Sequence, residues 1–219
     1  MGREIDLLVN YPRTARNLDE RLAQKTEDVR AIARQFGKDF FDGDRKYGYG
    51  GFNYSPRFWQ PVIPTLQAHF GLTAASRVLD VGCGKGFMMH DMTAIIPGIT
   101  VKGIDVSEYA VEKAMVDVAS HIQAANAKNL PFPDKSFDVV ISINTVHNLE
   151  IDECALAVRE IQRVSRHGAY ITVDAYRNAE EKKRMYAWNL TAKTIMSVDE
   201  WIAFFDKNGY TGDYYWFIP

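Results

Sequence analysis

Apolar and polar positions change rhythm near residue 76. Beyond it, short apolar runs alternate with stretches of helical spacing. "RVLDV" (77–81), "TVKGID" (100–105), "IQAANA" (122–127), "FDVVISI" (137–143) and "AYITVDA" (169–175) read as strands. Between the first two, "FMMHDMTAII" predicts a helix that stops at Pro97-Gly98. Ser107 is placed to cap the next, with Val111, Ala114, Met115 and Val118 on one face. In 151–164, Ala157, Ile161 and Val164 fall at helical spacing. "SVDEWIAFF" opens a last helix with a capping box, Ser197 and Glu200, and that helix ends near Gly209. "DYYWF" (213–217) is expected to close the sheet as an antiparallel strand. Such alternation predicts an α/β domain built on a mostly parallel sheet.

The first 65 residues follow another pattern. Asn17 with Glu20 marks a helix start, and Val29, Ile32, Ala33, Phe36 and Phe40 keep helical spacing. "DGDRKYGYGGFNYSPRFW" (42–59) then crowds glycines among aromatics, and no strand pattern precedes residue 76. Two regions are therefore expected. Residues 1–65 form a helical cap with an aromatic, glycine-rich lid loop, and residues 66–219 form the sheet domain.

Composition narrows this picture. Length (219 residues), 47% hydrophobic and 25% charged residues suit an ordinary soluble globule. A formal net charge of −2 offers no basic surplus for nucleic acid. No apolar run is long enough for a membrane span, and the charged N-terminus does not read as a signal peptide. Cys83 and Cys154 are too few for a disulfide framework. A cytoplasmic protein is the expectation. No His, Cys, Asp or Glu grouping has metal-ligand spacing.

The chemistry concentrates in "VLDVGCGKG" (78–86), where an apolar strand ends in an acid and three alternating glycines. Glycine there permits positive φ and lets a ligand approach the backbone. A dinucleotide fingerprint counted from Gly82 needs glycine at 87, where Phe87 stands. A phosphate P-loop fails too, with Leu79 and Gly86 in its glycine and hydroxyl places.

The stretch resembles the E/D-x-G-x-G-x-G turn of class I S-adenosylmethionine-dependent methyltransferases. Asp105 lies where that family keeps an acid after the second strand. "NAKNLPFPDKSFDVVISINTVHNL" (126–149) is similar to its D-A-x-x-L-P-F-x-D-x-S-F-D region. The resemblance spans roughly residues 75–210. It implies a Rossmann-like three-layer sandwich that binds S-adenosyl-L-methionine and releases S-adenosyl-L-homocysteine. Cofactor contacts are implied for Asp80, Gly82, Cys83, Gly84, Gly86, Asp105, Val106, Asn126, Ala127 and Asn144. Asp105 would accept from the ribose hydroxyls, and Asp80 would either orient loop amides or touch the ligand. Two departures stand out. Asn126 replaces the usual Asp, although its carbonyl still accepts a hydrogen bond. Only ten residues follow Gly209, so the family's C-terminal hairpin is incomplete, or part of 185–196 fills an edge.

Candidates for catalysis follow from position. His147, after the fourth strand, is either a general base or a loop-ordering residue. In the aromatic loop, Tyr49 is a second catalytic candidate, and Tyr47, Phe52 and Tyr54 either wall the substrate pocket or glue the cap down. Tyr176 and Arg177 follow the fifth strand. With Arg45 and Lys46, Arg177 points to an acidic acceptor such as a sugar nucleotide or small acid. The expected function is methyl transfer to a small molecule, with no nucleic acid or membrane partner and with a homodimer as one open possibility. Rival readings are a protein or nucleic-acid methyltransferase of the same fold and a non-catalytic cofactor-binding subunit.

Overall fold

A computed structural model of the chain describes residues 2–13, 25–50 and 53–219. The expected helix start at Asn17 and Glu20, and the loop residue Phe52, lie outside the described residues. Seven strands form one sheet: β1 (Arg77–Val81), β2 (Thr100–Asp105), β3 (Ile122–Ala124), β4 (Phe137–Ile143), β5 (Ser165–Tyr176), β6 (Met196–Ser197) and β7 (Asp213–Phe217). Their order is β3-β2-β1-β4-β5, with β6 and β7 both pairing β5. Helices α1 (Glu27–Ala33), α2 (Lys38–Asp42), α3 (Pro56–Trp59) and α4 (Ile63–Phe70) precede the sheet. The remaining helices are α5 (Phe87–Ile95), α6 (Glu108–Glu112), α7 (Ile151–Val164), α8 (Ala179–Trp188) and α9 (Val198–Lys207).

Side chains alternate across a strand, so each buried strand feeds two cores. Val78, Val139, Ile141 and Tyr170 pack with Ile63, Leu66, Met89 and Met92 of α4 and α5. Leu79, Val140, Ile171 and Val173 pack on the other face with Ala157, Ile161, Trp201 and Phe205 of α7 and α9. This is the expected three-layer α/β sandwich. Each fully buried side chain of this size contributes about 1.5–3 kcal/mol of transfer free energy.

Three local expectations differ from the structure, each for a tertiary reason. The helix through Phe36 and Phe40 is broken into α1 and α2. Phe36 takes φ +50°, and its carbonyl accepts from the Ser107 hydroxyl. Ser107 does cap α6, but that helix ends at Glu112, and the Met115 amide then donates to the Lys85 carbonyl. Strand β7 runs parallel to β5, not antiparallel, from Tyr170 opposite Asp213 to Asp174 opposite Phe217. The chain leaves β6 beside Ala175 and Tyr176. Helix α9 has ten residues and spans about 15 Å, which carries the chain back along β5 to Tyr170, opposite which β7 begins. A strand begun there must run the same way. The capping box of Ser197 and Glu200 that opens α9 is as expected.

The N-terminus also joins the sheet. The Ile5 amide donates to the Tyr214 carbonyl at 2.9 Å, and the Tyr214 amide donates to the Arg3 carbonyl at 3.1 Å. The Tyr170 hydroxyl, buried beneath, donates to the Ile5 carbonyl and accepts from the Leu7 amide. The stretch holding Arg3 and Ile5 carries no strand signal, because this pairing is made 200 residues away.

Candidate active site

Register brings three strand ends level. Val81 lies opposite Ile104 and Asp80 opposite Ile141, so Gly82, Asp105 and Ile143 share one edge. Strand order reverses around β1 and β4, which opens a crevice there. Gly82, Gly84 and Gly86 take φ of +85°, +54° and +78°, a region that L side chains rarely enter. Their roles differ. A Cβ on Gly82 would sit 2.1 Å from Thr145 Oγ1, and one on Gly86 2.7 Å from Ile122 Cδ1. Those two glycines allow close packing. A Cβ on Gly84 would meet, among the described residues beyond its chain neighbours, Phe41 Cε1 at 3.4 Å. Gly84 alone of the three turns its bare face toward the cap.

The turn's amides are already engaged. Gly82 N and Cys83 N donate to the Ile104 carbonyl at 2.8 and 3.0 Å. Gly84 N donates to Asp105 Oδ2 at 2.8 Å. A phosphate cradle needs such amides pointing at the ligand, and these three point into the protein. The Cys83 thiol is pushed well up by burial and by Asp80 and Asp105, so it is no thiolate nucleophile.

Asp105 is buried, and its Oδ1 accepts from the Ser107 amide at 2.9 Å. Burial raises its pKa against the opposing pull of the amides of Ser107, Gly84 and Val106. Each carboxylate oxygen keeps a further acceptor position. Val106 beside it is 54% exposed and offers an apolar surface at the strand end. The Ala125 amide donates to the Asp105 carbonyl at 2.9 Å, which fixes Asn126 and Ala127 next to the acid. Asn126 Oδ1 accepts from the Lys128 amide at 3.1 Å, so its side chain braces its own turn. Asp80 is also buried. Burial, then the charge of Asp105, pushes its pKa up to about 8.

The cap closes over this edge. Lys85 Nζ lies 2.5 Å from Asp42 Oδ1, and the Tyr109 hydroxyl donates to Asp42 Oδ2 at 2.8 Å. Between cap and turn lies a cavity of about 270 Å³. Its floor includes Asp80, Gly82, Cys83, Gly84, Lys85 and Ile143. Its far wall includes Tyr11, Phe41, Asn53, Phe58 and Trp59. Tyr11 contacts both Phe58 and Trp59, with ring centroids 5.4 and 5.1 Å apart. Of these wall residues the sequence marked only an aromatic-rich region. It gave no sign of Tyr11, which lies far from that stretch, or of Phe41, which immediately precedes it.

Several expected site residues face elsewhere. His147 is buried, and its Nδ1 accepts from the Asp174 amide at 2.9 Å. Its carbonyl accepts from the Lys193 and Thr194 amides. Burial lowers its pKa against the pull of Asp174, and it does not line the cavity. The Tyr49 hydroxyl accepts from the Leu190 and Thr191 amides at 2.8 and 3.2 Å, and its ring stacks on Trp188. Burial, then Asp174, raises the Tyr49 pKa, opposite to what a base requires. Tyr54 packs on α5, donating to Asp91 Oδ1 at 2.7 Å and edging the rings of His90 and Phe87. Tyr47 lies under Lys46. Tyr176 pairs with Lys182 and Glu200. Arg177 is exposed and bridged to Glu4 at 3.1 Å. None of these six lines the cavity. Asn144 holds φ +51° and bonds Thr172 through both its amide and its Oδ1, which bends the chain after β4. Among the described residues no group of three or more His, Cys, Asp or Glu is placed to hold a metal. No helix of the described residues is long and apolar enough to cross a membrane.

A parallel Rossmann-like sheet with a glycine turn and an acid at neighbouring strand ends defines the α/β class of this fold. Residues 79–173 match the family model described as "Methyltransferase domain". Over this stretch, which is under half of the chain, the protein is similar to methyltransferases. It is 36% identical over 109 residues to the 27-O-demethylrifamycin SV methyltransferase of Amycolatopsis mediterranei, covering 47% of this chain and 39% of that protein. It is 28% identical over 151 residues to the tRNA (carboxymethyluridine(34)-5-O)-methyltransferase of Arabidopsis thaliana, covering 68% and 35%. The chain therefore spans well under half the length of these curated relatives. Among solved structures, the YcgJ protein of Bacillus subtilis aligns with a TM-score of 0.56 at 24% identity, covering 67% of this chain and 66% of that one. At that identity the likeness speaks for the fold alone.

Proposed function

We propose that the protein transfers a methyl group from S-adenosyl-L-methionine to a small molecule. One observation carries the reading. The amides of Gly82, Cys83 and Gly84 are engaged inside the protein, while a carboxylate stands at the next strand end. That arrangement suits a ribose without a pyrophosphate, and hence an adenosine sulfonium over a nicotinamide dinucleotide. Asp105 would hold the ribose hydroxyls, Val106, Asn126 and Ala127 would border the adenine, and Gly84 would admit the chain of the ligand past its bare face. Ionised Asp80 would answer the cofactor's positive charge. When bound, the cofactor supplies an activated methyl group for in-line displacement.

The protein's own part is then alignment and exclusion of water. Phe41 and the Asp42–Lys85 pair seal the cleft from the cap side. His147 acts as a positioning residue, because its Nδ1 is occupied and it is buried away from the cavity. It holds the chain after β4 against β5. The expected acidic acceptor rested on Arg177, Arg45 and Lys46, and none of them lines the cavity.

Calorimetric titration tests this reading. S-adenosylhomocysteine should bind one-to-one and NADH should not. Binding of NADH alone would overturn it.

A further inference from the structure

Two buried acids stand side by side at the cleft, and their surroundings differ. Asp80 lies opposite Gly103 in the parallel pairing of β1 with β2. Side chains alternate along a strand, so the one at 105, two residues beyond 103, stands on the same face as Asp80. Asp80 is 4% exposed and Asp105 8%. Amides favour the ionised form of Asp105, from Gly84 at 2.8 Å, Ser107 at 2.9 Å and Val106. On Asp80 the influences are burial and then the charge of Asp105, and both favour the protonated form. The pair therefore ionises unequally, and Asp80 keeps its proton up to about pH 8. Asp80 also lines the cavity, with Gly82, Gly84 and Ile143. Strand β1 lies between β2 and β4. A ligand with its ribose at Asp105 and its other end toward Ile143 must cross the end of β1, over Asp80. The other titratable groups among the lining residues are Cys83, Lys85 and Tyr11. The Cys83 thiol is pushed well up and stays neutral, and Lys85 Nζ lies 2.5 Å from Asp42 Oδ1. On α5 and β4 the lining residues Phe87, Met88 and Ile143 do not titrate.

Resting on the methyltransferase reading above, we propose that Asp80 is the group by which this protein tells the methyl donor from its spent product. It gives up a proton when a sulfonium is bound and keeps that proton when the neutral thioether is bound. Donor and product share their adenosine, ammonium and carboxylate groups. They differ by one methyl group and one positive charge. A cation beside a buried carboxyl lowers its pKa by about 1–3, so the sulfonium favours ionised Asp80 and the proton passes to water. Transfer breaks the sulfur–methyl bond and leaves the electron pair on sulfur, which is then neutral. Asp80 takes a proton back from water, and the attraction ends. The donor should therefore gain affinity over the product as pH rises toward about 8.

The test titrates the full chain calorimetrically at about pH 7 with S-adenosylmethionine and with S-adenosylhomocysteine. Two buffers of different ionisation enthalpy are used, because the difference in heat counts the protons released. S-adenosylmethionine should release between about half a proton and one, and S-adenosylhomocysteine close to none. Between about pH 6 and about pH 8 the ratio of the two affinities should move at least about fivefold toward S-adenosylmethionine. Asp80→Asn should abolish both the proton release and the drift of that ratio with pH. Equal release by the two ligands, or none with S-adenosylmethionine, would overturn the proposal, as would release that survives Asp80→Asn. The proton counts on the unaltered protein decide the matter even if the variant does not fold. Failure of both ligands to bind would instead sink the methyltransferase reading, so the two failures are distinguishable.

Discussion

The two sides of the cleft are built differently. The floor is main chain and strand ends: Gly84, Asp105 and Ala125 are tied to one another by backbone-centred bonds of 2.8–2.9 Å. The far wall is side chain, drawn from Tyr11, Phe41, Phe58 and Trp59 on separate pieces of the cap. A floor made of backbone fixes which cofactor fits and tolerates little change. A wall made of side chains can be exchanged residue by residue, and it decides what the cofactor meets. Site chemistry, not fold, then separates relatives of different acceptor.

Substitutions should affect the two sides unequally. Gly82→Ala strikes the floor hardest, because it adds a Cβ 2.1 Å from Thr145 Oγ1 at φ +85°. Backbone strain and overpacking together should destabilise the protein by about 3 kcal/mol or more, read as the midpoint shift in urea unfolding. A loss no greater than that of an exposed Gly→Ala change would mean the turn can relax. Asp105→Ala should weaken S-adenosylmethionine binding about 10- to 100-fold, the scale of a removed charged hydrogen-bond partner. Calorimetry reads it directly, and unchanged affinity would place the ribose elsewhere.

Asp80 sharpens the contrast through pH. Its folded pKa of about 8 lies above the ordinary 3.8. As pH rises, the unfolded carboxyl gives up its proton first. Stability linked to Asp80 is therefore full below about pH 4 and is lost as pH climbs toward about 8. Asp80→Asn should flatten that part of the stability–pH curve, measured by denaturation in the absence of ligand. An unaltered slope would assign it to other buried acids. The smallest effect belongs to the cap latch. Burial opposes it, but hydrogen bonds from Lys85 and Tyr109 hold the Asp42 carboxyl below its ordinary value. Asp42 is partly exposed, so Asp42→Asn should cost under about 1 kcal/mol. It should nevertheless speed amide exchange across residues 36–42, and unchanged exchange would show the cap is held by Phe41 and Ser107 instead.

Legibility in the sequence follows the same division. Strands 77–81, 100–105 and 137–143, the Ser107 cap and the Ser197–Glu200 box were readable because their signals are local. The spaced glycines and Asp105 were readable because backbone geometry demands those residue types. Tyr11 and Phe41 were not, since nothing near them in sequence says which surface they cover. His147 and Tyr49 looked reactive by type and position, but Asp174 and the Leu190–Thr191 amides occupy their polar atoms. The parallel run of β7 depended on where α9 returned the chain. The pairing of Arg3 and Ile5 with Tyr214 joins opposite ends of the sequence. Such outcomes belong to the assembled molecule.

A crystal structure of the protein with S-adenosylhomocysteine tests the central claim most directly. The account predicts both ribose hydroxyls within hydrogen-bond distance of Asp105, the ligand passing Gly84 beneath Phe41, and its sulfur facing the Tyr11–Phe58–Trp59 wall. A ligand bound elsewhere, or one whose ribose leaves Asp105 untouched, would contradict it.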